Sequence, residues 1–461
     1  IVEKVGVEKA AELAIYYPDN NPVELPNGLE FNSLSIDEMY DAVAGPFLAK
    51  DMEGGGRGSN AWAVSAEKSF TGRPILCNDT HLVLSTPGVW YLNHLHSEEG
   101  FHVIGASLPG VNGILLGHNE KVAWGITLAF TDVEDIFIEK VNVEDTNFYE
   151  YCGENIVFDT VEETIHVKGK TAHAETIKST VHGPVIGDVV GRENLTISLC
   201  SKTLMEMDLP SAIYSMNIAQ NLEEFSDAVD LIYAPQLNVA YADVKGNIAL
   251  FISGRVPIRK KGNGQLPVQG WNGEYDWERD IPLSEMPKLI NPKKGYLITC
   301  NNKIVDDSYP FFLGNSYMNG FRAKRIENIF STKNKITIKQ CQDLHQDFYS
   351  IPAETFINGM ISGLRTAKPK VQKILDILLS WDFMLTTDSS AATVYQVLMY
   401  KIIRNLVEGD LGKALTDKYM GVGEHPVLLP TSELLGHTTQ AILNILQNNN
   451  SKWISSSKEV L

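Results

Sequence analysis

The sequence predicts an α+β fold with a β-rich centre and a helical C-terminal region. From residue 59 to about residue 300, short apolar runs alternate with turn-forming pairs such as Asn112-Gly113 and Lys168-Gly169, a pattern typical of strands joined by tight turns. Beyond Phe321 the apolar residues recur at spacings of three and four, which indicates helices. With 461 residues, 44% of them hydrophobic, the chain is long enough to bury a large core.

The individual elements follow from these patterns in order along the chain. Residues 1–16 have helical spacing, the segment from Tyr17 to Gly28 is turn-forming, and residues 37–50 are expected to form a short helix before a glycine-rich strip that ends at Gly58. The predicted strands cover residues 60–65, 73–78, 101–107, 114–117, 121–127, 135–141, 163–168, 194–200, 237–243 and 247–253. The predicted helices beyond them cover residues 322–330, 338–349, 353–364, 370–379 and 391–406.

Charge and composition exclude several classes of function. The chain has 57 acidic and 39 basic side chains, and its formal charge of −18 would repel phosphate backbones, so no nucleic acid partner is expected. Five widely spaced cysteines without a C-x-x-C pair argue against a disulfide scaffold. The chain opens on Ile1-Val2-Glu3-Lys4 without a basic and then apolar leader, and no apolar run is long enough to predict a membrane span.

Ser59 is the first candidate for catalysis. It directly follows the glycine-rich run Gly54-Gly55-Gly56-Arg57-Gly58 and directly precedes a predicted strand. If the peptide bond between Gly58 and Ser59 were cut, Ser59 would carry both a nucleophilic hydroxyl and a free α-amino group that could act as its base. A simple glycine-serine linker entering a strand is the alternative interpretation.

Three further clusters carry polar side chains that could take part in catalysis or bind a metal ion. His81, at the end of a predicted strand, could reach a neighbouring nucleophile or could be purely structural. The carboxylates of the segment from Asp132 to Asp135 are of the type that calcium prefers, although a solvated acidic loop would look the same. Asn238 interrupts an apolar strand, so its amide either stabilises a developing oxyanion or caps the strand.

Several of these motifs, taken together and in order, resemble the penicillin acylase family of N-terminal nucleophile hydrolases. The resemblance implies a four-layer αββα sandwich and a precursor that cleaves itself between Gly58 and Ser59, giving two chains in one folded body. The matching motifs are Gly58-Ser59-Asn60-Ala61-Trp62, Asn78-Asp79-Thr80-His81-Leu82, Leu108-Pro109-Gly110, Gly117-His118-Asn119, Trp124-Gly125, Asp132 to Phe137, His182-Gly183-Pro184, Asn238 to Asp243 and Trp381-Asp382.

The resemblance also implies a role for each matching residue. Ser59 would be the nucleophile with its own α-amino group as base, the backbone N–H of Leu128 and the side chain of Asn238 would form the oxyanion hole, and Arg259 would help to organise the site. His81 stands where penicillin G acylases carry Gln, so the chain is more similar to the cephalosporin, aculeacin and homoserine lactone acylase branches. The remaining implied roles are the acyl pocket for Leu82 and Leu116 and a structural calcium site for Asp132, the carbonyl of Glu134, and Asp135.

The family pattern further implies how the chain is organised and what it acts on. Residues 1–58 would be the end of an α-chain with its spacer, residues 59–320 the β-rich hydrolase core, and residues 321–461 a mainly helical region; both ends are expected to be cut short relative to known members. The expected substrate is a small acyl amide with an apolar acyl group, attached to a β-lactam nucleus, a lipopeptide or a homoserine lactone. A periplasmic or extracellular location is expected from the family.

Two other functions are compatible with the residues. A metal-dependent hydrolase could use His81, His94, His96 and His102, because His94 and His96 would lie on one face of a strand as zinc ligands do. An inactive homologue that keeps the fold and only binds its ligand is the other alternative.

Overall fold

The computed structural model describes residues 1–14, 17–18, 20–25, 58–82, 85–188, 195–205, 207–420, 433–448 and 450–454. The helix predicted for residues 37–50 and most of the glycine-rich strip lie outside these ranges. No helix in the described part of the chain is both long and apolar enough to cross a bilayer.

Strands dominate the centre of the described chain and helices its last third, as the sequence predicts. The strands are β1 (Gly58–Val64), β2 (Ile75–His81), β3 (Tyr91–His96), β4 (His102–Ser107), β5 (Leu116–His118), β6 (Val122–Leu128), β7 (Glu134–Ile138), β8 (Lys140–Val141), β9 (Phe148–Tyr151), β10 (Glu154–Val157), β11 (Asp159–Ile165), β12 (His173–Thr180), β13 (Gly183–Pro184), β14 (Ile197–Ser201), β15 (Leu237–Asp243), β16 (Ile248–Ile252), β17 (Pro257–Arg259), β18 (Val268–Gln269), β19 (Trp277–Asp280), β20 (Lys288–Ile290) and β21 (Tyr296–Thr299). The helices are α1 (Val2–Val5), α2 (Val7–Ala11), α3 (Leu209–Ile218), α4 (Leu222–Asp230), α5 (Phe321–Ser331), α6 (Ile338–Leu344), α7 (Ile351–Phe356), α8 (Pro369–Leu379), α9 (Ser390–Leu411), α10 (Lys413–Tyr419) and α11 (Glu433–Gln447).

Two sheets form the middle of the molecule. One has seven strands in the order β20-β16-β15-β6-β5-β4-β3, and the other has three in the order β2-β1-β21. All neighbouring strands in both sheets are antiparallel. Asn78 of β2 ties the sheets together, because its amide exchanges hydrogen bonds of 3.0 and 3.1 Å with the backbone of Ile126 on β6. A side chain at the neighbouring Gly125 would clash with Asn78, with its Cβ 2.7 Å from that of Asn78.

The alternation of residues along each strand explains the layers. On β1, Ala61 and Ala63 join Ala240 of β15 in the apolar cluster between the two sheets. On the opposite face of β1, Trp62 packs against α5 and α6, where Phe330 belongs to the same cluster. Because both faces of β1 and of β15 are covered by other parts of the protein, the sequences of these strands are nearly continuous apolar runs.

The outer face of the seven-stranded sheet is covered by α3 and α4. Tyr241 of β15 and Phe225 of α4 lie in the same buried cluster, with ring centroids 5.0 Å apart. The order across the molecule is therefore helices, sheet, sheet, helices, which is the αββα sandwich that the resemblance implies. The last helices, α7 to α11, form a separate apolar cluster that also includes Leu13 from the start of the chain.

Several elements in the centre differ from the sequence prediction. Strand β3 was not predicted because it is largely exposed at the sheet edge and shows no apolar alternation. Helices α3 and α4 interrupt the region expected to be all strand, although each carries an N-cap signal, the side chains of Asp208 and Asn221 accepting hydrogen bonds from Ser211 N and Glu224 N. The turn predicted at Lys168-Gly169 does join two strands, β11 and β12, in an exposed hairpin.

Candidate active site

Ser59 lies at the mouth of the space between the two sheets. It is the second residue of β1 and shares the inward face of that strand with Ala61 and Ala63, and only 5% of its surface is exposed. Its hydroxyl donates a hydrogen bond of 2.6 Å to the carbonyl oxygen of Gly58. The nucleophile expected from the sequence is therefore held beside the carbonyl group of the bond that would be cut.

The backbone nitrogen of Ser59 is held by a residue that the sequence analysis missed. Ser59 N donates to Asn301 Oδ1 at 2.6 Å, and Asn301 Nδ2 donates to the carbonyl oxygen of Leu128 at 2.9 Å. Asn301 is fully buried and has φ 62°, in the left-handed region that Asn tolerates better than most residues. Its position two residues beyond β21, which pairs with β1, is the signal that could have identified it.

Arg322, at the start of α5, is a second residue that the sequence analysis missed. Its Nη1 donates to the carbonyl oxygen of Ser59 at 2.6 Å and to Asn60 Oδ1 at 2.5 Å, while its Nη2 donates to Asn301 Oδ1 at 2.9 Å. Desolvation by burial lowers the pKa of Arg322, but an arginine stays charged in a protein. A positive charge therefore lies directly at the reacting end of β1.

Asn238 lies in the same polar layer as Ser59 and is fully buried. Its Nδ2 lies within hydrogen-bonding distance of Thr127 Oγ1 (3.0 Å), Thr299 Oγ1 (3.0 Å) and the Leu128 carbonyl oxygen (3.3 Å). The Leu128 carbonyl oxygen also accepts from Asn301 Nδ2, and Asn301 Oδ1 accepts from Ser59 N, so Asn238 is linked to Ser59 through Leu128 and Asn301. Within the described residues no hydrogen bond joins Ser59 to Asn238 or to Leu128, and the catalytic roles of the three residues stay predictions.

Glu24 reaches this layer from the N-terminal segment. Backbone hydrogen bonds from Glu24 N to Lys303 O and from Leu25 N to Ile304 O, of 2.9 and 2.8 Å, fix the segment beside the end of β21. The carboxyl Oε1 then accepts from Asn238 Nδ2 at 3.1 Å and from Thr299 Oγ1. Burial raises the pKa of Glu24 well above its usual range, so this acid favours its neutral form.

His81 is opposite the proposed cleavage point. The register of β1 and β2 pairs it with Gly58, and a Cβ on Gly58 would lie 3.5 Å from His81 Nδ1. Its Nε2 lies 2.6 Å from Asp79 Oδ2, whose other oxygen is 3.2 Å from His345 Nδ1. Burial opposes the ionisation of Asp79, but hydrogen bonds from His345 and His81 hold its pKa well below its usual range. Within the described residues, no hydrogen bond joins His81 to Ser59.

Arg259 does not contact Ser59 or Asn238 in the described part of the chain. It forms instead a buried ion pair with Asp135, at 2.8 Å between Nε and Oδ2, and its Nη2 lies 3.0 Å from Asp132 Oδ1. Burial raises the pKa of Asp132 to about 6, although Arg259 opposes that effect. Among the described residues, the arginine that contacts Ser59 is Arg322.

The predicted calcium ligands do not form a ready site. The Asp132 and Asp135 carboxylates are occupied by Arg259, and Glu134, whose carbonyl is the predicted ligand, accepts a hydrogen bond from Ser201 at 2.8 Å through its carboxylate. Among the described residues no group of three or more His, Cys, Asp or Glu side chains is arranged to hold a metal ion. The donor set therefore fits calcium only if Arg259 moves away, and calcium binding stays a prediction.

The four-histidine metal site considered from the sequence is not formed. His94, His96 and His102 lie on β3 and β4 at the edge of the seven-stranded sheet, where the rings of His94 and His96 lie 4.9 and 5.1 Å from that of His102. His81 belongs to the other sheet, and the described residues offer no metal-binding group of three or more such side chains. The exposed ring of His102 stacks on that of His94 and meets that of His96 edge-on.

The two leucines assigned to the acyl pocket are half-buried. Leu82 directly follows β2 and is adjacent to His81, while Leu116 opens β5 opposite Ala106 of β4. Their pocket role stays a prediction.

The sequence is similar to those of known amidases and acylases. A family model described as penicillin amidase matches residues 1–460. The chain is 30% identical over 449 residues to an acyl-homoserine lactone acylase, QuiP, of Pseudomonas aeruginosa, and 31% identical over 414 residues to the penicillin acylase 2 proenzyme of Pseudomonas sp. strain SE83. These matches cover 89% and 87% of this chain but 52% of each relative, so the chain spans about half the length of the curated relatives it matches.

A solved structure shows the same fold. Thermostable penicillin G acylase from Alcaligenes faecalis superposes with a TM-score of 0.72 at 23% sequence identity, covering 87% of this chain and 76% of that one. At this level of identity the likeness shows the architecture alone.

Proposed function

The chain belongs to the penicillin amidase family, and from that premise we propose that it is an acylase that hydrolyses amide bonds through an N-terminal serine. The observation that supports this most strongly is the position of Ser59. Its hydroxyl lies 2.6 Å from the Gly58 carbonyl oxygen, its backbone nitrogen is held by Asn301, and Asn238 lies in the same polar layer. The activity of the whole protein, its substrates and its two-chain state are parts of this proposal.

The first step is self-cleavage. Ser59 Oγ attacks the carbonyl carbon of Gly58, the bond from that carbon to Ser59 N breaks, and the hydroxyl proton passes to the departing nitrogen. Water then hydrolyses the resulting ester, which leaves a carboxylate on Gly58 and a free α-amino group on Ser59. The name "proenzyme" of one relative supports a processed precursor.

The second step is hydrolysis of the substrate amide. The freed α-amino group accepts the Oγ proton as Oγ attacks the substrate carbonyl, and that proton passes to the leaving amine. Water then hydrolyses the acyl ester on Ser59 and regenerates the hydroxyl. The side chain of Asn238 and the N–H of Leu128 would stabilise the oxyanion, a contribution of about 3 to 4 kcal/mol for each donor.

The proposed substrate class is an apolar acyl group on a small amine. Leu82 and Leu116 at the predicted pocket positions favour an aliphatic acyl chain. The relatives named acyl-homoserine lactone acylase and penicillin acylase suggest a homoserine lactone or a β-lactam nucleus as the amine.

Mass measurement and N-terminal sequencing of the full-length protein test the proposal. We expect a chain that begins Ser59-Asn60, and hydrolysis of acyl-homoserine lactones or penicillins of graded acyl length. Ser59→Ala should remain a single chain and hydrolyse none of them, while Ser59→Cys, which keeps a nucleophile, should be processed. An intact wild-type chain, or hydrolysis that survives Ser59→Ala, would overturn the proposal. A correctly processed chain with no turnover would favour the inactive homologue instead.

A further inference from the structure

Two of the five cysteines, far apart in the sequence, meet between β2 and α6. Cys77 lies within β2 and Cys341 within α6, and both carry free thiols. Cys341 is fully buried and Cys77 half-buried, and both belong to the apolar cluster around Trp62 of β1. The two thiols form a hydrogen bond with each other. Tertiary packing therefore creates a thiol pair that the spacing of the cysteines in the sequence does not show.

The thiol pair lines an open cavity of about 380 Å³. One wall is the segment 74–77 at the start of β2, and the other is α6, which contributes Ile338, Cys341 and Gln342 together with His345 at its end. A water molecule takes up about 30 Å³ of liquid, so a molecule of similar size such as hydrogen peroxide has room to enter. A small reagent can thus reach the two sulfur atoms although the protein buries most of their surface.

The surroundings favour the thiolate form of Cys341. The hydrogen bond with Cys77 lowers the pKa of Cys341 to about 7 against the effect of burial, and the nearby His345 acts in the same direction. The same hydrogen bond, together with burial, raises the pKa of Cys77, so Cys77 remains a protonated donor. Since the thiolate is the nucleophilic form of a cysteine, Cys341 is the better nucleophile of the two.

The titratable neighbours of the pair come from α6 and β2. On α6, His345 lies four residues after Cys341, on the same side of the helix. Its Nδ1 is 3.2 Å from Asp79 Oδ1 on β2, and its ring centroid is 4.5 Å from that of Trp62. Asp79 in turn adds to the raised pKa of Cys77. These contacts fix His345 beside the cavity and hold α6 against β2, so the two thiols stay within reach of each other.

We propose that Cys77 and Cys341 form a peroxide-reactive dithiol site, in which Cys341 is the reacting thiolate and Cys77 the resolving thiol. Cys341 Sγ attacks one oxygen of hydrogen peroxide, the O–O bond breaks, and hydroxide leaves, which gives a sulfenic acid on Cys341. Cys77 Sγ then attacks the Cys341 sulfur, the S–O bond breaks, and the Cys77 proton joins the departing hydroxide as water. Overall the two thiols lose two electrons and two protons, and one peroxide becomes two water molecules.

The product would be a disulfide that joins β2 to α6. It lies outside the polar layer around Ser59, and its formation does not depend on the proposed acylase activity. Cys152 offers an internal comparison, because it is exposed, whereas the two cysteines of the site are not. If exposure alone decided reactivity, Cys152 would be oxidised first; if the thiol pair decides it, Cys77 and Cys341 would be.

Limited oxidation of the reduced full-length protein at pH 7 tests the proposal. Equimolar hydrogen peroxide would be added, the remaining thiols blocked with an alkylating reagent, and the peptides identified by mass. At this pH a thiol with a pKa of about 7 is about half thiolate, whereas an ordinary thiol with a pKa of about 8.5 is about 3% thiolate. We expect a linked pair of peptides that contains Cys77 and Cys341, formed at least tenfold faster than Cys152 is oxidised.

Three variants separate the roles of the two thiols. Cys77→Ser removes the resolving thiol and should accumulate a sulfenic acid on Cys341, detected as its dimedone adduct. Cys341→Ser should leave Cys77 reduced at the peroxide concentration that oxidises the wild type. Cys152→Ser is the matched control and should form the linked pair as the wild type does.

The contrary results are equally clear. A wild type in which Cys152 is oxidised while Cys77 and Cys341 keep their thiols overturns the site. A sulfenic acid that persists on Cys341 of the wild type beside a reduced Cys77 overturns the resolving role. If a serine variant at either position does not fold, the wild-type peptide map decides alone: the linked pair supports the site when it forms before Cys152 reacts and overturns it when it forms later.

Discussion

Asn238 Nδ2 donates a hydrogen bond of 3.1 Å to the carboxyl oxygen of Glu24, although 214 residues separate the two. Glu24 lies upstream of the proposed cleavage point and Asn238 downstream. If the chain is cut before Ser59, this contact joins the two resulting pieces inside the core. The segment around Glu24 is therefore expected to remain bound after processing.

Replacement of Glu24 tests whether this acid is neutral in the folded protein. Its pKa is raised by burial, so the stability it contributes is present at low pH and lost as the pH rises from the unfolded value of about 4.3 towards the folded one. Glu24→Gln keeps an acceptor without the charge and should be more stable than the wild type at pH 8, with the difference vanishing near pH 4. Urea unfolding at the two pH values measures this.

Glu24→Ala is the contrasting variant. It removes one acceptor of Asn238 Nδ2 and of Thr299 Oγ1, which should cost about 1 kcal/mol of unfolding free energy for each hydrogen bond lost. Equal stability of Glu24→Ala and Glu24→Gln would show that the hydrogen bonds from Asn238 and Thr299 to Glu24 do not stabilise the fold.

His81 is expected to assist the serine, because its Nδ1 faces Gly58 while Asp79 fixes its other nitrogen. His81→Ala should reduce the rate of amide hydrolysis by about a hundredfold, the usual contribution of a positioned acid or base. His81→Gln should lose less, since glutamine can still donate and accept hydrogen bonds at this position. Steady-state kinetics on a common acyl amide compare the two, and equal losses would argue against a specific role.

Arg259 is expected to hold the loop that carries Asp132 and Asp135. Arg259→Gln leaves the buried carboxylate of Asp135 and the half-buried one of Asp132 without their cation, which should cost about 3 kcal/mol of unfolding free energy. Calcium should raise the melting temperature of this variant more than that of the wild type, because the carboxylates then become free to bind it. Lys261→Gln, which removes an exposed pair with Glu274, serves as control. If calcium raises the melting temperatures of the wild type and of Arg259→Gln equally, Arg259 and calcium do not compete for these carboxylates.

His182 is expected to act as a buried cation between two acids. Its Nδ1 lies 2.9 Å from Glu139 Oε1 and its Nε2 3.1 Å from Asp276 Oδ1. Burial opposes its charge, but the two acids raise the pKa of His182, and hydrogen bonds from His182 and Ser198 lower that of Glu139 in spite of burial. His182 stabilises the fold fully below about pH 6.5, and this contribution is lost as the pH rises through the pKa of His182 in the folded protein. Glu139 stabilises the fold fully above about pH 4.3, and its contribution is lost as the pH falls through the pKa of Glu139 in the folded protein.

The stability difference between wild type and His182→Asn should therefore be largest between about pH 4.3 and 6.5, at roughly 3 kcal/mol, and should shrink above pH 8. Urea unfolding at pH 5.5 and pH 9 measures it. His173→Asn, which removes an exposed pair with Glu175, should change stability by less than about 1 kcal/mol at either pH. A difference that stays constant with pH would show that His182 is not charged in the fold.

The local pattern of apolar and turn-forming residues determined much of the secondary structure. The apolar runs on β1 and β15, the turn at Lys168-Gly169 and the helical spacing of α5, α8 and α9 are visible in the sequence, because periodicity records which faces are covered. Motifs around Ser59 and Asn238 point to the family and, through it, to the αββα sandwich. Strand β3 and helices α3 and α4 were missed, since an exposed edge strand and helices within a β-rich region have weak local signals.

Only the tertiary structure decided which side chains surround Ser59. Glu24, Asn301 and Arg322 come from three distant segments that meet because β21 pairs with β1, the N-terminal segment lies beside the end of β21, and α5 covers the sheet. No local spacing encodes such contacts. The same packing placed Arg259 on Asp132 and Asp135, because a buried arginine binds the carboxylates that lie within its reach. The sequence by itself thus determined the scaffold and predicted Ser59 as the nucleophile, whereas the charges and hydrogen bonds around Ser59 depend on long-range packing.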